Sequence, residues 1–269
     1  MLIIIKMKYI EIAKISYKAQ LAWRFDIIFN VLFTVIKIIF AVILWGAVFG
    51  ERDVVSGFTF HTMLSYYIIS SFLSKIELSD GVSGEISHRI REGSFSKYMV
   101  LPAKVEGYFL AQTLGAASFY AILNFIAAAI WIFIFRIQFT VTSNFKLIMS
   151  GIILTILGLI FMVQLNFLLG ILTLKFQDIQ LFLMIKNTLV AFITGTMLPL
   201  SLLPEIVIGI MRFFPFYYIT YLPSMLFIGN NQEEAIRGVA ILSAWVLVFI
   251  IINNFSYNKL RIKFDGVGI

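Results

Sequence analysis

The chain has 269 residues, 61% hydrophobic and only 13% charged, with no cysteine, a formal net charge of +7 and a mean hydropathy of +0.97. Soluble domains are about 45–50% apolar and about 25% charged, so a chain of this composition cannot cover a water-facing surface. A soluble globular enzyme is excluded, and 16% aromatic residues exclude disorder, which leaves a polytopic membrane protein.

In chain order, Met1–Ile5 is apolar but shorter than the roughly 7–15 residues of a signal-peptide core, and Met7 is as good a start as Met1. Residues 7–24 follow, where Ile10, Ala13, Tyr17 and Leu21 recur at helical spacing and Lys8, Glu11, Lys14 and Lys18 occupy another face. This pattern predicts an amphipathic helix in the inner headgroup layer; the alternative is a solvated juxtamembrane linker. A bilayer core of about 30 Å needs about 20 apolar residues in a helix. Six stretches meet that length, at about 25–49, 58–79, 108–135, 146–174, 179–198 and 237–257. None alternates as a barrel strand does, so the expected fold is all-α with six spans in a single domain over 1–269.

Lys and Arg fall unevenly between these spans. Fifteen lie in the N-terminal tail, the 75–104 connection, the connection holding Lys175 and Lys186, and the C-terminal tail; the opposite loops hold only Arg52, Arg136, Lys146, Arg212 and Arg237. The positive-inside rule then places both termini in the cytoplasm and accounts for the basic charge without nucleic acid.

Two connections are unusual. Residues 80–102 are the one long hydrophilic stretch, punctuated by Gly81, Gly84 and Gly93 and closed by Pro102; Glu85–Glu92 reads as a short helix with Gly93 as its terminator. A hairpin needs only a few residues, so a connection this long and rich in both charge signs reads as a docking element rather than a solvated turn. Residues 199–223, on the outer side, carry Pro199, Pro204, Pro215 and Pro223 yet stay apolar. Such a segment is too broken for one helix and too apolar for water, and reads as re-entrant or interfacial.

Within the spans, Lys37 is twelve residues from either estimated end, about 18 Å at 1.5 Å per residue. Lys37, Asn124, Gln164 and Asn166 either line a polar path or hydrogen-bond between packed helices. Gly46 and Gly50 form a GxxxG at the outer end of the first span. No phosphate-cradling G-x-x-x-x-G-K-[ST], no H-E-x-x-H and no G-x-S-x-G occurs, and His61 and His88 fall on opposite sides of the membrane. No metal site, bound cofactor or catalytic activity is expected of the chain itself.

The loop Glu85-Ile86-Ser87-His88-Arg89-Ile90-Arg91-Glu92-Gly93-Ser94-Phe95-Ser96-Lys97-Tyr98-Met99-Val100-Leu101-Pro102 resembles a pattern of the type-2 ABC exporter permeases. Thr194-Gly195, Pro199 to Pro204, Phe214-Pro215-Phe216-Tyr217-Tyr218, then Pro223 and Gly229, and the glycine-ended tail Lys263–Gly268 are similar to that family in order and placement. The resemblance implies a permease subunit of the cell membrane, a prokaryotic plasma membrane, that works with a second permease chain, identical or sister. It also implies two copies of a cytoplasmic ABC ATPase, which would hold the ATP and Mg. Residues 80–102 would hold the coupling helix, with Glu85, Arg89, Glu92, Gly93, Tyr98 and Pro102 at the ATPase, and 7–24 the connecting helix. Gly195, Pro199, Pro204, Pro215 and Pro223 would shape the outer re-entrant segment. An apolar pathway suits a lipid, drug-like or hydrophobic peptide substrate. The competing expectation is a secondary transporter or channel without ATP coupling, which would favour inverted repeats and intramembrane acids that are not seen.

Overall fold

A computed structural model describes residues 2–22, 24–55, 57–194, 200 and 203–264. Of the expected outer-segment residues, Gly195 and Pro199 lie outside these, as does the tail from Asp265. In lipid every backbone amide must be satisfied within its own segment, so apolar runs fold as helices whatever their propensity in water. Helices dominate accordingly, with one two-residue antiparallel hairpin, Val54–Val55 against Phe58–Thr59, between the first two predicted spans.

Helix α1 runs Leu2–Gln20, five residues earlier than the expected start at Met7, and α2 runs Arg24–Phe49. Only Ile38, Ala41, Trp45 and Phe49 of α2 are buried in its outer half, a stripe at spacings of three and four that packs on α3 (Phe60–Ile76). Thr59 and Thr62 cap the start of α3 reciprocally. Next come α4 (Asp80–Arg91), α5 (Ser96–Met99), α6 (Val105–Ile134) and α7 (Phe145–Ile171). The short α8 (Thr173–Phe176) leads into α9 (Gln180–Ile193), and α10 (Glu205–Met211), α11 (Tyr221–Phe227) and α12 (Ala235–Leu260) complete the described chain.

Four of these elements are long and apolar enough to cross a bilayer on their own: Leu32–Phe49, Val105–Ile134, Phe145–Phe176 and Gln232–Leu260. Of the six expected spans, the second and fifth correspond to shorter described helices, 17 residues in α3 and 14 in α9. The pair Glu205–Met211 and Pro215–Phe227 passes the same test together but is bent by 94°. Its prolines do not interrupt helices; they start them. Pro204 is the residue before α10, Pro215 opens a 3₁₀ turn over Pro215–Tyr218, and Pro223 lies in the first turn of α11. Proline is tolerated there because those amides have no intrahelical acceptor.

Two apolar cores hold the helices together. The larger joins α3, α7, α11 and α12 around Leu154, Phe161, Tyr66 and Leu222. The smaller joins α4, α5, the start of α6 and the end of α7 around Ile86, Ile90, Phe95, Phe109 and Phe167. The GxxxG at Gly46 and Gly50 marks no close approach within the chain: a Cβ at either meets nothing within 4 Å, and Gly50, at φ +52, ends α2 instead. Close approach occurs elsewhere. A Cβ at Gly115 would fall 2.2 Å from the carbonyl oxygen of Ala13, so α1 lies against α6 with no room for a side chain between them.

That contact also fixes which side of α1 meets protein. Tyr9 stands over Gly107, Ser16 donates to the Gln112 carbonyl at 2.7 Å, and the Tyr17 and Phe119 rings meet edge to face at 5.4 Å. Ile10 and Leu21, on the apolar side of the sequence pattern, are 53% and 54% exposed to the surroundings of the chain. Hydropathy periodicity alone cannot tell a lipid-facing stripe from a protein-facing one, because both are apolar.

Candidate functional site

The hydrophilic segment after α3 folds as the sequence predicts a helix, but α4 begins at Asp80, before the expected Glu85. Gly93 at φ +71 follows its last turn, and its amide donates to the Ile90 carbonyl at 3.1 Å. Glycine adopts that left-handed conformation without steric cost, which is why the helix stops there.

Helix α4 has two distinct faces. Val82, Ser83, Ile86, Ser87 and Ile90 are buried against α7 and α8. A Cβ at Gly170 would come 2.8 Å from the Ile86 Cβ, so the absence of a side chain on α7 sets how close α4 sits. On the other face Gly81, Gly84, His88, Arg91 and Glu92 are exposed, one helical stripe at spacings of three and four. Lys97 within α5 and Val100 just after it are exposed too, Val100 an aliphatic side chain at 81%.

The six residues expected at a coupling surface divide between these faces. Glu92 and Pro102 are exposed. Glu85 is directed into the loop: its Oε1 accepts from the Tyr98 hydroxyl at 2.5 Å, and Arg89 Nε lies 3.8 Å from it, too far for a hydrogen bond. Burial first, and the Glu85 carboxylate second, hold the Tyr98 phenol well above its ordinary range, so it stays protonated and donates. Gly93 ends the helix, and the Pro102 carbonyl accepts from Lys8 Nζ at 3.3 Å, tying the loop to α1. Glu85, Tyr98 and Pro102 thus shape the segment from within, while Glu92 faces outward.

The α3–α4 corner is anchored by a polar cluster that the sequence reading missed. Lys186 was counted among the charges of the connection between spans four and five. It lies instead within α9, 7% exposed, paired with Asp80 and donating to Asn166 Oδ1 at 3.1 Å. Asn166, fully buried on α7, also accepts from Ser83 Oγ at 3.2 Å and donates to Ser79 Oγ at 2.6 Å and the Met162 carbonyl at 3.1 Å. One amide therefore bridges α7, the start of α4 and, through Lys186, α9. The signal for this was available only in part. Asn166 stood out as a polar residue in an apolar run, whereas the pairing of Asp80 with Lys186, over 100 residues away, depends on the tertiary fold.

The other intramembrane polar residues do not join Asn166. Asn124 donates to the Tyr120 carbonyl of its own helix at 2.8 Å. Asn124, Lys37, Thr34 and Lys75 line a small cavity of about 30 Å³ between α2, α3 and α6, and the Lys37 side chain is exposed. Gln164 is buried, and its backbone carbonyl accepts from Asn253 of α12 at 3.0 Å. At the other end of the molecule, Pro204, Pro215 and Pro223 belong to a segment tied down by Glu234, which accepts from Arg212 at 2.6 Å and from Tyr217 at 2.9 Å. Among the described residues no three His, Asp or Glu side chains gather as metal ligands.

The buried polar anchors thus lie behind a helix whose charged stripe is exposed. A family model described as ABC-2 family transporter protein matches residues 33–268, most of the chain. No curated protein matches it significantly.

Proposed function

The chain belongs to the ABC-2 transporter family, and from that premise we propose that it is a permease whose helix α4 couples it to a cytoplasmic ATPase. Its multi-pass, mainly helical architecture is that of a membrane-embedded permease subunit. In the proposal α3 and α9 belong to the second and fifth of six spans; both termini and α4 lie in the cytoplasm, in keeping with the excess of Lys and Arg there.

The observation that carries the reading is the two-faced character of α4. Its exposed stripe of Gly81, Gly84, His88, Arg91 and Glu92 has no partner helix, and both charge signs with the flanking Val100 fit a steering and anchoring role in docking. Its buried face is held by Ile86 at Gly170 and by the Asp80–Lys186–Asn166 cluster. A push on α4 is then delivered to α7 and α9 together, as rigid-body motion through packed elements that are not continuously deformable.

Two copies of the ATPase would bind the ATP and Mg, and a second permease chain, identical or sister, would face this one across a shared pathway. The substrate proposed is a hydrophobic molecule: a lipid, a drug-like compound or an apolar peptide. The α4 assignment is tested by charge reversal at Arg91→Glu and Glu92→Lys with copurification of the partner ATPase. Loss of the ATPase from a normally folded permease is expected; full association would remove α4 from the interface. For the dimer, a single cysteine at Thr194 in this cysteine-free chain is expected to crosslink two permeases, and its absence from crosslinked species would argue against α9 at the interface.

A further inference from the structure

At the end of the molecule remote from α4, α6 and α7 splay apart. The cleft between them encloses about 1130 Å³, above the roughly 300–1,000 Å³ of ordinary small-molecule pockets. Its walls are Phe125, Ile132 and Phe133 of α6 and Ile152 and Ile156 of α7, and Phe72 of α3 lies between them. From Phe125 to Arg136 the cleft runs about 16 Å at 1.5 Å per residue, close to the roughly 15 Å of hydrocarbon in one leaflet.

Only two polar residues line it, Thr155 and Arg136. The Thr155 hydroxyl already donates to the Gly151 carbonyl at 2.8 Å. Arg136 has no side-chain partner among the described residues, and it is the cleft's one charge, placed at the end where α6 stops. It holds φ +50, a left-handed conformation normally given to glycine at a helix terminus, so a large side chain is retained where a smaller residue is easier. Arg136 also lines a second pocket of about 300 Å³, together with Gln138 and with His61, whose Nδ1 is buried without a hydrogen-bond partner. A guanidinium with neighbouring polar groups at the mouth of a leaflet-deep apolar cleft is complementary to a phosphodiester carrying an acyl chain.

We propose that the α6–α7 cleft is a resident phospholipid site in the leaflet remote from α4, with the phosphate on Arg136 and one acyl chain along α6 and α7. The site is separate from α4 and from the α9 face proposed for the dimer, so it does not depend on the coupling reading.

The cysteine-free chain permits a direct test. A fluorophore is placed at Phe133→Cys, on the cleft rim, or at Phe255→Cys, on the exposed face of α12, and the detergent-purified full chain is titrated with a phospholipid spin-labelled on its acyl chain. Quenching at position 133 should half-saturate at about tenfold less lipid than at 255, the factor that about 1.4 kcal/mol of extra binding produces. Arg136→Gln should abolish that preference, and Arg136→Lys should keep most of it. Spin-labelled diacylglycerol, which has the same tails and no phosphate, should show no preference on the unaltered Arg136 background. Equal titration at the two positions, or diacylglycerol preferred as strongly as phospholipid, would overturn the site without reliance on any Arg136 variant.

Discussion

The two ends of α7 solve opposite problems. At its C-terminal end Gly170 admits Ile86 of α4, and Asn166 satisfies three elements through hydrogen bonds. At its N-terminal end the helix parts from α6 and leaves a cleft about 1130 Å³ in volume, lined almost wholly by carbon. The first arrangement specifies position, because a buried polar group that loses its partner is costly. The second specifies very little, since lipid can fill whatever the protein does not. In the proposed coupling this difference has a use: stiffness where force would enter, tolerance where the bilayer would be met.

Breaking the C-terminal end should therefore show in stability, and the sharpest test is an asymmetry within one ion pair. Asp80→Ala leaves Lys186 buried beside Asn166 without its ion-pair partner, with only the more distant Glu77 carboxylate nearby, and should cost about 3 kcal/mol, measured as thermal unfolding in detergent. Lys186→Met leaves only the exposed Asp80 carboxylate, which water can solvate, and should cost about 1 kcal/mol. The double variant should recover most of the Asp80→Ala loss. Equal costs for the two single variants would mean that the pair does not anchor the α3–α4 corner.

Next in size is Gly115→Ala. The added methyl would meet the backbone of α1 rather than a movable side chain, so α1 must shift from α6, at about 2 kcal/mol. Protease access to residues 2–20 in the native permease should rise in parallel. An unchanged cleavage rate would show that α1 has room the packing does not suggest.

Tyr98→Phe removes the donor to Glu85 and keeps the ring among Phe95, Tyr108 and Phe109; about 1 kcal/mol is expected, because the half-exposed Glu85 can turn to water. Smallest of all should be the outward stripe. Glu92→Lys and Arg91→Glu should each change stability by less than about 0.5 kcal/mol while weakening ATPase association. A Glu92→Lys protein that unfolds early would make the stripe part of the internal scaffold and weaken its reading as a docking face.

These residues also show where sequence reading succeeds. Helix α4 and its terminator were legible because local chemistry decides them: good helix formers, then a glycine at φ +71. The prolines of the outer segment were legible as breaks in any single helix, and what tertiary structure adds is that Pro204, Pro215 and Pro223 stand at the starts of short ones, which depends on where each proline falls within a turn. The apolar periodicity of α1 was legible, but Ile10 and Tyr17 look alike to it, and only the notch at Gly115 says which side meets protein. Glu85 was grouped with Glu92 as an outward charge, and the difference between them is Tyr98, thirteen residues from Glu85, whose position follows from how α5 folds back.

The sequence by itself determined the solvent, the secondary structure and the charge asymmetry. Each is a property of residues summed over a window: 61% hydrophobic residues cannot be solvated by water, and lipid permits apolar runs only as closed hydrogen-bonded helices. Tertiary structure alone decided which charge is an anchor and which is a handle. Lys186 and Arg91 are both cations in short stretches of the chain, yet one is buried against Asp80 and Asn166 and the other stands free on α4. The physical reason is that a charge's role depends on its distance to a partner, and Asp80 and Lys186, 106 residues apart in the chain, become neighbours only when α4 and α9 close around Asn166.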